Sequence, residues 1–193
     1  ITAEESRRLV KSVNALVILD EAYMDFWDQP VLQEAAQYDN LIVLKTSSKA
    51  VGSAAIRLGF AVANKTLTKA LRAVKSPYNV NTLTQEIGTC IFSHKKLLTE
   101  RRNTIVQNTK ELYSKLLELK KTYSLPFNIY EPCTNFVYIR TELSYPLWQY
   151  LLDNGIAIRY FKNDSALRIT AGSKEENNEV MRYIEKYILE KYV

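Results

Sequence analysis

Glycine is scarce in this chain, which has five glycines among 193 residues. Nucleotide-binding loops of the Walker and Rossmann types need several glycines at fixed spacings, because their backbone must approach the phosphates closely. Neither spacing occurs in this sequence. A phosphate-binding site here therefore has to be built from side chains and the amino ends of helices.

Histidine and cysteine are scarce too. His94, the one histidine, follows Ser93 and precedes two lysines, so we interpret it as a solvated helix residue. This leaves no histidine for a multi-histidine metal site or a histidine-based triad, and we predict no metal site. The two cysteines, Cys90 and Cys133, are too few for a disulfide framework and are typical of a protein kept reduced in the cytoplasm.

Long apolar runs are missing, and the chain does not open with the basic and apolar regions of a secretory signal. We therefore expect a soluble, cytoplasmic protein with no membrane partner. The net charge is +5 and the pI is near 9.1, with the charges spread along the chain. Because they are not concentrated in an arginine-rich arm, we expect a solvated cationic surface and no nucleic-acid partner.

The most informative stretch covers residues 41–60. Residues 41–44 are all apolar and predict a buried strand. Three hydroxyl side chains follow at 46–48, beside Lys49 and upstream of Arg57. Hydroxyls with two cations suit an anion such as phosphate, and a lysine amine near another cation becomes a better nucleophile toward a carbonyl. A polar turn between two core strands is the alternative that these residues leave open.

Asp20 ends another short apolar segment, residues 15–19, that we expect to form a buried strand. An acid in this position is either a solvated turn residue or part of a site. Tyr23 lies just beyond it. The residues alone favour an ordinary loop position for both side chains.

The remaining pattern alternates helices and short strands. Capping-box signatures at Thr2, Thr82 and Ser173 predict three helix starts. The second of these helices would run to about residue 122, with an interruption near residues 93–95. Further helices are expected at 65–74 and 144–154, and strands at 126–129, 134–140, 156–159 and 166–170.

The segment 75–81 is rich in turn-forming residues and predicts a boundary between residues 1–81 and residues 82–193. Before it, the helix at 65–74 is expected to turn Leu67, Leu71 and Val74 inward. After it, the helices and short strands predict a compact α+β domain.

Several segments together resemble the pyridoxal-phosphate aminotransferases of fold type I, and the histidinol-phosphate aminotransferases in particular. They include Asp-Glu-Ala-Tyr at 20–23 and Thr-Ser-Ser-Lys-Ala at 46–50, with Arg-Leu-Gly-Phe at 57–60. The others lie in family order at 77–81, 135–136, 155–159 and 167–172. The resemblance spans nearly the whole chain.

The resemblance implies an α/β fold in which this chain is a C-terminal half. Residues 1–81 would be the C-terminal part of the large cofactor-binding domain, a mostly parallel sheet with helices. Residues 82–193 would contribute an interdomain helix and a small α+β C-terminal domain. The N-terminal half would supply further groups around the cofactor, and the complete protein would be a homodimer.

The cofactor implied by the resemblance is pyridoxal 5'-phosphate. Lys49 would bind it covalently and transfer the proton during catalysis. Asp20 would pair with the pyridine nitrogen, and Tyr23 would hydrogen-bond the phenolic oxygen.

The phosphate of the cofactor would be held by Ser48 and Arg57, with Thr46 as a helper. Just before Arg57, residues 53–55 read Ser-Ala-Ala, where the family usually has a glycine-rich segment. This departure predicts a narrower space or a shifted arginine beside Lys49.

Two arginines would bind the substrate. By resemblance Arg168 grips a carboxylate or its equivalent, and Arg159 lies near the substrate phosphate. The implied activity transfers an amino group between histidinol phosphate, or a similar amine, and 2-oxoglutarate in histidine biosynthesis. Two alternatives stay open: a decarboxylase of a phosphorylated amino acid such as threonine phosphate, and a non-catalytic module with an aminotransferase-like fold.

Overall fold

The computed structural model describes residues 1–192, which form two compact units. The first comprises Ile1–Arg102, and the second begins at Asn103. This division falls inside one long helix. The domain boundary predicted after residue 81 coincides with the start of the helix Thr82–Ser93. That residues 1–81 belong to a cofactor-binding domain and residues 82–193 to a separate domain stays a prediction.

The first unit surrounds a three-stranded sheet with helices. Its elements are α1 (Ala3–Ser12), β1 (Val17–Asp20), β2 (Leu41–Thr46), β3 (Gly59–Val62), α2 (Lys65–Val74) and α3 (Thr82–Ser93), with short 3-10 helices at Met24–Phe26, Leu32–Gln37 and Ala54–Ile56. Helix α4 (Lys95–Thr122) begins here. The predicted interruption near residues 93–95 is confirmed, because His94 separates α3 from α4.

Strand β2 is central to the first sheet, with β1 parallel to it on one side and β3 antiparallel on the other. Its residues Leu41 and Val43 are fully buried and belong to one core cluster with Ala3 and Val10 of α1. Burying such side chains contributes about 1.5–3 kcal/mol each. The apolar run at 41–44 therefore anchors β2, and helix α1 covers one face of the sheet. The predicted α/β class is confirmed.

Helix α1 is also tied down by an ion pair. Arg7 Nε lies 2.9 Å from Glu34 Oε2, and Arg7 Nη2 lies 2.6 Å from Glu34 Oε1. These hydrogen bonds hold the pKa of Glu34 below its ordinary value of 4.5. Both side chains are partly exposed, so the pair stabilises the fold only modestly.

Two details differ from the sequence prediction at helix ends. Asn81, rather than Thr82, caps α3, because its side-chain oxygen accepts the N–H of Thr84. Asparagine is at least as good a cap as threonine and lies one residue earlier in extended backbone. The inward position predicted for Val74 is wrong, because this side chain is 82% exposed and α2 has no fully buried residue. The predicted caps Thr2 and Ser173 are confirmed.

The second unit packs helices on a four-stranded antiparallel sheet of order β4-β5-β7-β6. Its elements after α4 are β4 (Asn128–Tyr130), β5 (Phe136–Arg140), α5 (Ser144–Asp153), β6 (Arg159–Phe161), β7 (Ala166–Thr170) and α6 (Lys174–Tyr192). Ile139, Leu167 and Ile184 lie in its core. The α+β prediction is confirmed, although the strand predicted at 156–159 is found at Arg159–Phe161.

Ile184→Ala should lower the free energy of unfolding by about 2–5 kcal/mol, because the Ile184 side chain is fully buried. Urea unfolding followed by Trp148 fluorescence in a Trp27→Phe background tests this, since Trp148 packs against the same core. The matched control is Leu189→Ala, on the same helix but 47% exposed, which should change stability by less than about 1 kcal/mol. Equal losses in the two variants would contradict the assigned core.

The Arg7–Glu34 pair predicts a pH dependence of stability. Because the folded protein lowers the pKa of Glu34, the pair stabilises the fold above about pH 4.5 and loses its contribution as the pH falls through the folded pKa. Arg7→Met should therefore flatten the decline of stability on acidification, measured by urea unfolding from pH 6 to about pH 3. Arg8→Met, which removes an exposed neighbouring arginine, should retain the wild-type slope.

Candidate functional site

The carboxyl ends of β1 and β2 bring two distant stretches of the sequence to the same edge of the sheet. The strands are parallel, and Asp20 lies opposite Leu44 in their register. The turn that follows Thr46 therefore starts beside the segment that follows Asp20. In open α/β sheets, ligands bind at this carboxyl edge.

Lys49 is the residue that joins the two stretches. Its Nζ lies 5.1 Å from the centroid of the Tyr23 ring, and its side chain is half-buried. An ammonium over an aromatic face is held by a cation–π attraction of about 0.5–2 kcal/mol. The structure thus places the predicted lysine on the predicted tyrosine.

Asp20 lies at the start of the same segment. Its Oδ1 accepts the N–H of Ala22 at 2.9 Å, a local bond that orients the carboxylate at the strand end. The side chain is exposed, so Oδ2 remains available to a ligand. The sequence left open whether Asp20 is a simple turn residue or part of a site, and this geometry is compatible with either role.

The hydroxyl-rich turn is held by backbone and side-chain bonds. Ser47 is fully buried and donates its Oγ–H to Leu58 O at 2.8 Å. Thr46 Oγ1 accepts the N–H of Ser48 at 3.1 Å. Gly52, with φ of 71°, lets the chain turn back after Lys49. Ser47 therefore has a structural role, and Thr46 and Ser48 lie next to the lysine.

Arg57, the other cation predicted for the cofactor phosphate, follows the turn that carries Lys49. It adopts a left-handed conformation with φ of 55°, and its Nη1 donates to Ala54 O at 2.9 Å. The Ser-Ala-Ala segment before it forms part of a short 3-10 helix. The residue is exposed, and the side-chain hydrogen bond of its guanidinium goes to Ala54 O rather than to the hydroxyl-rich turn. A left-handed non-glycine residue costs about 1 kcal/mol and is more frequent at functional sites.

Arg159 and Arg168 lie in the second unit, directly opposite each other on β6 and β7. Both line a cavity of about 330 Å³. Arg159 is exposed and Arg168 is half-buried. Two guanidinium groups on adjacent strands form a cationic surface suited to a doubly charged anion.

The chain matches the family model described as "Aminotransferase class I and II" over residues 1–184. It belongs to this aminotransferase family. The histidinol-phosphate aminotransferase of Clostridium novyi (strain NT) is 41% identical over 180 residues, covering 92% of this chain and 49% of that protein. The enzyme of the same name from Bacteroides thetaiotaomicron is 36% identical, covering 95% of this chain and 53% of that protein.

Solved structures of this family share the fold. The histidinol-phosphate aminotransferase of Clostridium acetobutylicum has a TM-score of 0.87 at 20% identity, covering 98% of this chain and 60% of that one. The Sinorhizobium meliloti enzyme in complex with pyridoxal-5'-phosphate has a TM-score of 0.82 at 19% identity, covering 98% of this chain and 54% of that one. The chain thus spans about half the length of the relatives that it matches.

Several polar residues of this aminotransferase chain were missed by the sequence analysis. Lys45 Nζ lies 2.7 Å from Asp25 Oδ1, with only 14% of the lysine side chain exposed. Glu21 is 2% exposed, and its Oε1 accepts the N–H of Val31 at 2.7 Å. Both contacts stabilise the loop after β1, which carries Tyr23. Neither residue type nor spacing signalled them, because the partners are brought together only by the fold.

The first unit also has a cavity of about 380 Å³ beside Phe60, Phe92 and Leu98. Thr46 lines it, but Asp20, Tyr23 and Lys49 do not. The cavity therefore does not coincide with the predicted cofactor site of this aminotransferase chain. Within the described part of the chain, no acidic, histidine or cysteine cluster could hold a metal ion, and no helix has the length and apolar character needed to cross a membrane.

The Lys45–Asp25 pair should contribute more than a surface pair. In a double-mutant cycle with Lys45→Gln and Asp25→Asn, urea unfolding should give a coupling of about 1–2 kcal/mol, because the lysine is mostly buried. The matched control is the exposed Lys96–Glu100 pair, whose coupling should be about 0–0.5 kcal/mol. Similar couplings for the two pairs would show that burial does not strengthen the Lys45–Asp25 contact.

Proposed function

We propose that this chain is part of a pyridoxal-phosphate-dependent aminotransferase of the histidinol-phosphate type. The observation that carries the proposal is the position of the Lys49 amine over Tyr23, at the sheet edge where Asp20 also lies. The names of the relatives support the substrate class. The reaction would transfer an amino group from a phosphorylated amine such as histidinol phosphate to 2-oxoglutarate.

The groups at this edge fit pyridoxal phosphate chemically. The half-buried amine suits the aldehyde of the cofactor, and the exposed carboxylate, which has an available oxygen, suits the pyridinium nitrogen. The tyrosine hydroxyl suits the phenolic oxygen, and the Ser48 hydroxyl suits the phosphate. Lys49 would hold the cofactor covalently, Asp20 and Tyr23 would contact its ring, and Ser48, Arg57 and Thr46 would hold its phosphate. Arg57 would need to release its contact with Ala54 O or bind through its other nitrogens.

Pyridoxal phosphate, when bound, supplies an electron sink that stabilises negative charge at the substrate carbon. The Asp20 carboxylate would maintain that sink by keeping the proton on the ring nitrogen. Once the substrate amine has taken its place on the cofactor, the freed Lys49 amine would take the proton from the substrate carbon as a base and deliver it to the cofactor carbon as an acid. The contact of the Lys49 ammonium with Tyr23 keeps this side chain at the sheet edge before the cofactor binds.

The anionic end of the substrate would be bound by Arg159 and Arg168. Histidinol phosphate carries a phosphate, and 2-oxoglutarate carries two carboxylates, so both substrates present groups that a guanidinium fork binds in bidentate fashion. The direct cross-strand pairing of the two arginines supports their joint action. We further propose that the complete protein is a cytoplasmic homodimer that acts in histidine biosynthesis.

A decarboxylase is the second candidate. The L-threonine-O-3-phosphate decarboxylase of Porphyromonas gingivalis has a TM-score of 0.83 at 25% identity, covering 99% of this chain and 60% of that one. Both reactions use a lysine-bound cofactor and a phosphorylated substrate, so the lysine segment supports either. Carbon dioxide release from threonine phosphate by the complete protein would favour the decarboxylase, and amino transfer to 2-oxoglutarate would favour the aminotransferase.

Lys49 should be the lysine that pyridoxal phosphate labels. After incubation of this chain with the cofactor and reduction with borohydride, intact mass and peptide mapping should show one adduct, located on Lys49. Lys49→Arg should remove the adduct, while the control Lys45→Arg should retain it, because the Lys45 amine is engaged by Asp25. Adducts scattered over many lysines, an adduct that persists in Lys49→Arg, or no adduct would contradict a formed cofactor site in this chain.

A further inference from the structure

Arg168 occupies an unusual position in the sheet of the second unit. Its neighbours Leu167 and Ile169 are buried in the core, so strand alternation directs Arg168 to the opposite face. On that face it lies between Tyr138 of β5 and Arg159 of β6, its two partners in the register. The guanidinium is therefore flanked by one aromatic residue and one further cation.

Phe136, two residues before Tyr138 on β5, supplies a surface for this guanidinium. The Cζ atom of Arg168 lies 5.1 Å from the centroid of the Phe136 ring. A planar guanidinium stacks well on an aromatic face, because its large faces are weakly hydrated while its N–H groups point outward in the plane. The ring thereby fixes the plane in which Arg168 can donate hydrogen bonds.

The environment of the Arg168 Nε atom provides the second observation. It is buried and has no hydrogen-bond partner among the described residues. A buried donor without an acceptor is costly, and such groups in native proteins usually have a reason. The Nε–H is a donor for which residues 1–192 provide no acceptor.

We propose that Phe136 is a positioning residue for Arg168, and that it holds the Nε–H as a donor for the anionic group of the substrate. The inference rests on the proposed function, because it takes Arg168 as a substrate-binding residue. The ligand class is a phosphate or carboxylate, whose oxygens accept from Nε and one Nη together. The ring beneath the guanidinium excludes water from one face, which strengthens these bonds.

Other aromatic residues on this face do not share the role. Phe161 lies under Arg159, with 5.8 Å between the Cζ atom and the ring centroid. The Tyr138 hydroxyl is 3.5 Å from Asp164 Oδ2, and burial, followed by the charge of Asp164, raises the pKa of Tyr138. Tyr138 therefore remains neutral and does not supply a charge to Arg168. Tyr130 contacts Tyr138 from the edge strand β4.

The test observes the Arg168 Nε–H directly in the full chain, by 15N–1H NMR of arginine side chains. The signal is assigned by its loss in Arg168→Lys, and inorganic phosphate is titrated at constant ionic strength. Phe136→Leu should weaken phosphate binding at Arg168 by about fivefold, since the cation–π contact is lost. It should also shift the Nε–H signal before phosphate is added, because the ring current disappears.

Two variants separate this role from a general effect on packing. Phe136→Tyr keeps an aromatic face and should bind phosphate within about twofold of the wild type. Tyr130→Leu removes a ring from the same sheet face away from Arg168 and should also leave binding within about twofold. Circular dichroism confirms that each variant is folded.

The outcomes distinguish this proposal from the proposed function. If the wild type binds phosphate through Arg168 and Phe136→Leu binds equally well, the role of Phe136 is overturned and Arg168 keeps its assignment. Equal weakening in Tyr130→Leu would likewise overturn it. If the wild-type Nε–H does not respond to phosphate, the substrate assignment of Arg168 fails, and the role of Phe136 fails with it. Labelling of Lys49 is independent of all three results.

Discussion

The parallel pairing of β1 with β2 is the constraint on which the candidate site depends. It aligns Asp20 with Leu44 and so places two loops, from distant parts of the sequence, at one edge of the sheet. A register shift of one residue would reverse the face of every side chain on the shifted strand. Packing of Leu41 and Val43 with Ala3 and Val10 of α1 opposes such a shift, because the shift would break these contacts.

Buried polar contacts then give the loops their shape. In the first unit, Glu21 accepts the N–H of Val31, and Ser47 donates to Leu58 O. These bonds connect residues ten or more positions apart, so they hold the chain on both sides of Tyr23 and Lys49. The cation–π contact between those two side chains is weak by itself. The buried hydrogen bonds of Glu21 and Ser47 help to keep the two partners together.

In the second unit, polar contacts likewise fix the strand that carries Arg168. Asn108 of α4 donates to Gly172 O, just beyond β7, and Asn177 of α6 donates to Asn108 O. Gly172 N donates to Asn177 Oδ1, so one amide network joins two helices to the end of the strand. The network thereby fixes the end of the strand that carries Arg168, whose guanidinium lies on the Phe136 ring.

The sequence by itself determined the order of elements and the residue types of the candidate site. Apolar runs and capping residues predicted most helices and strands, and the lysine segment was apparent because clustered hydroxyls beside a lysine are chemically distinctive. Only the tertiary structure decided which groups meet: Lys49 with Tyr23, Lys45 with Asp25, and Arg168 with Phe136. It also decided that Ser47 is buried and Val74 exposed. Local patterns predict local backbone bonds, whereas these contacts depend on register and packing between segments that no short pattern spans.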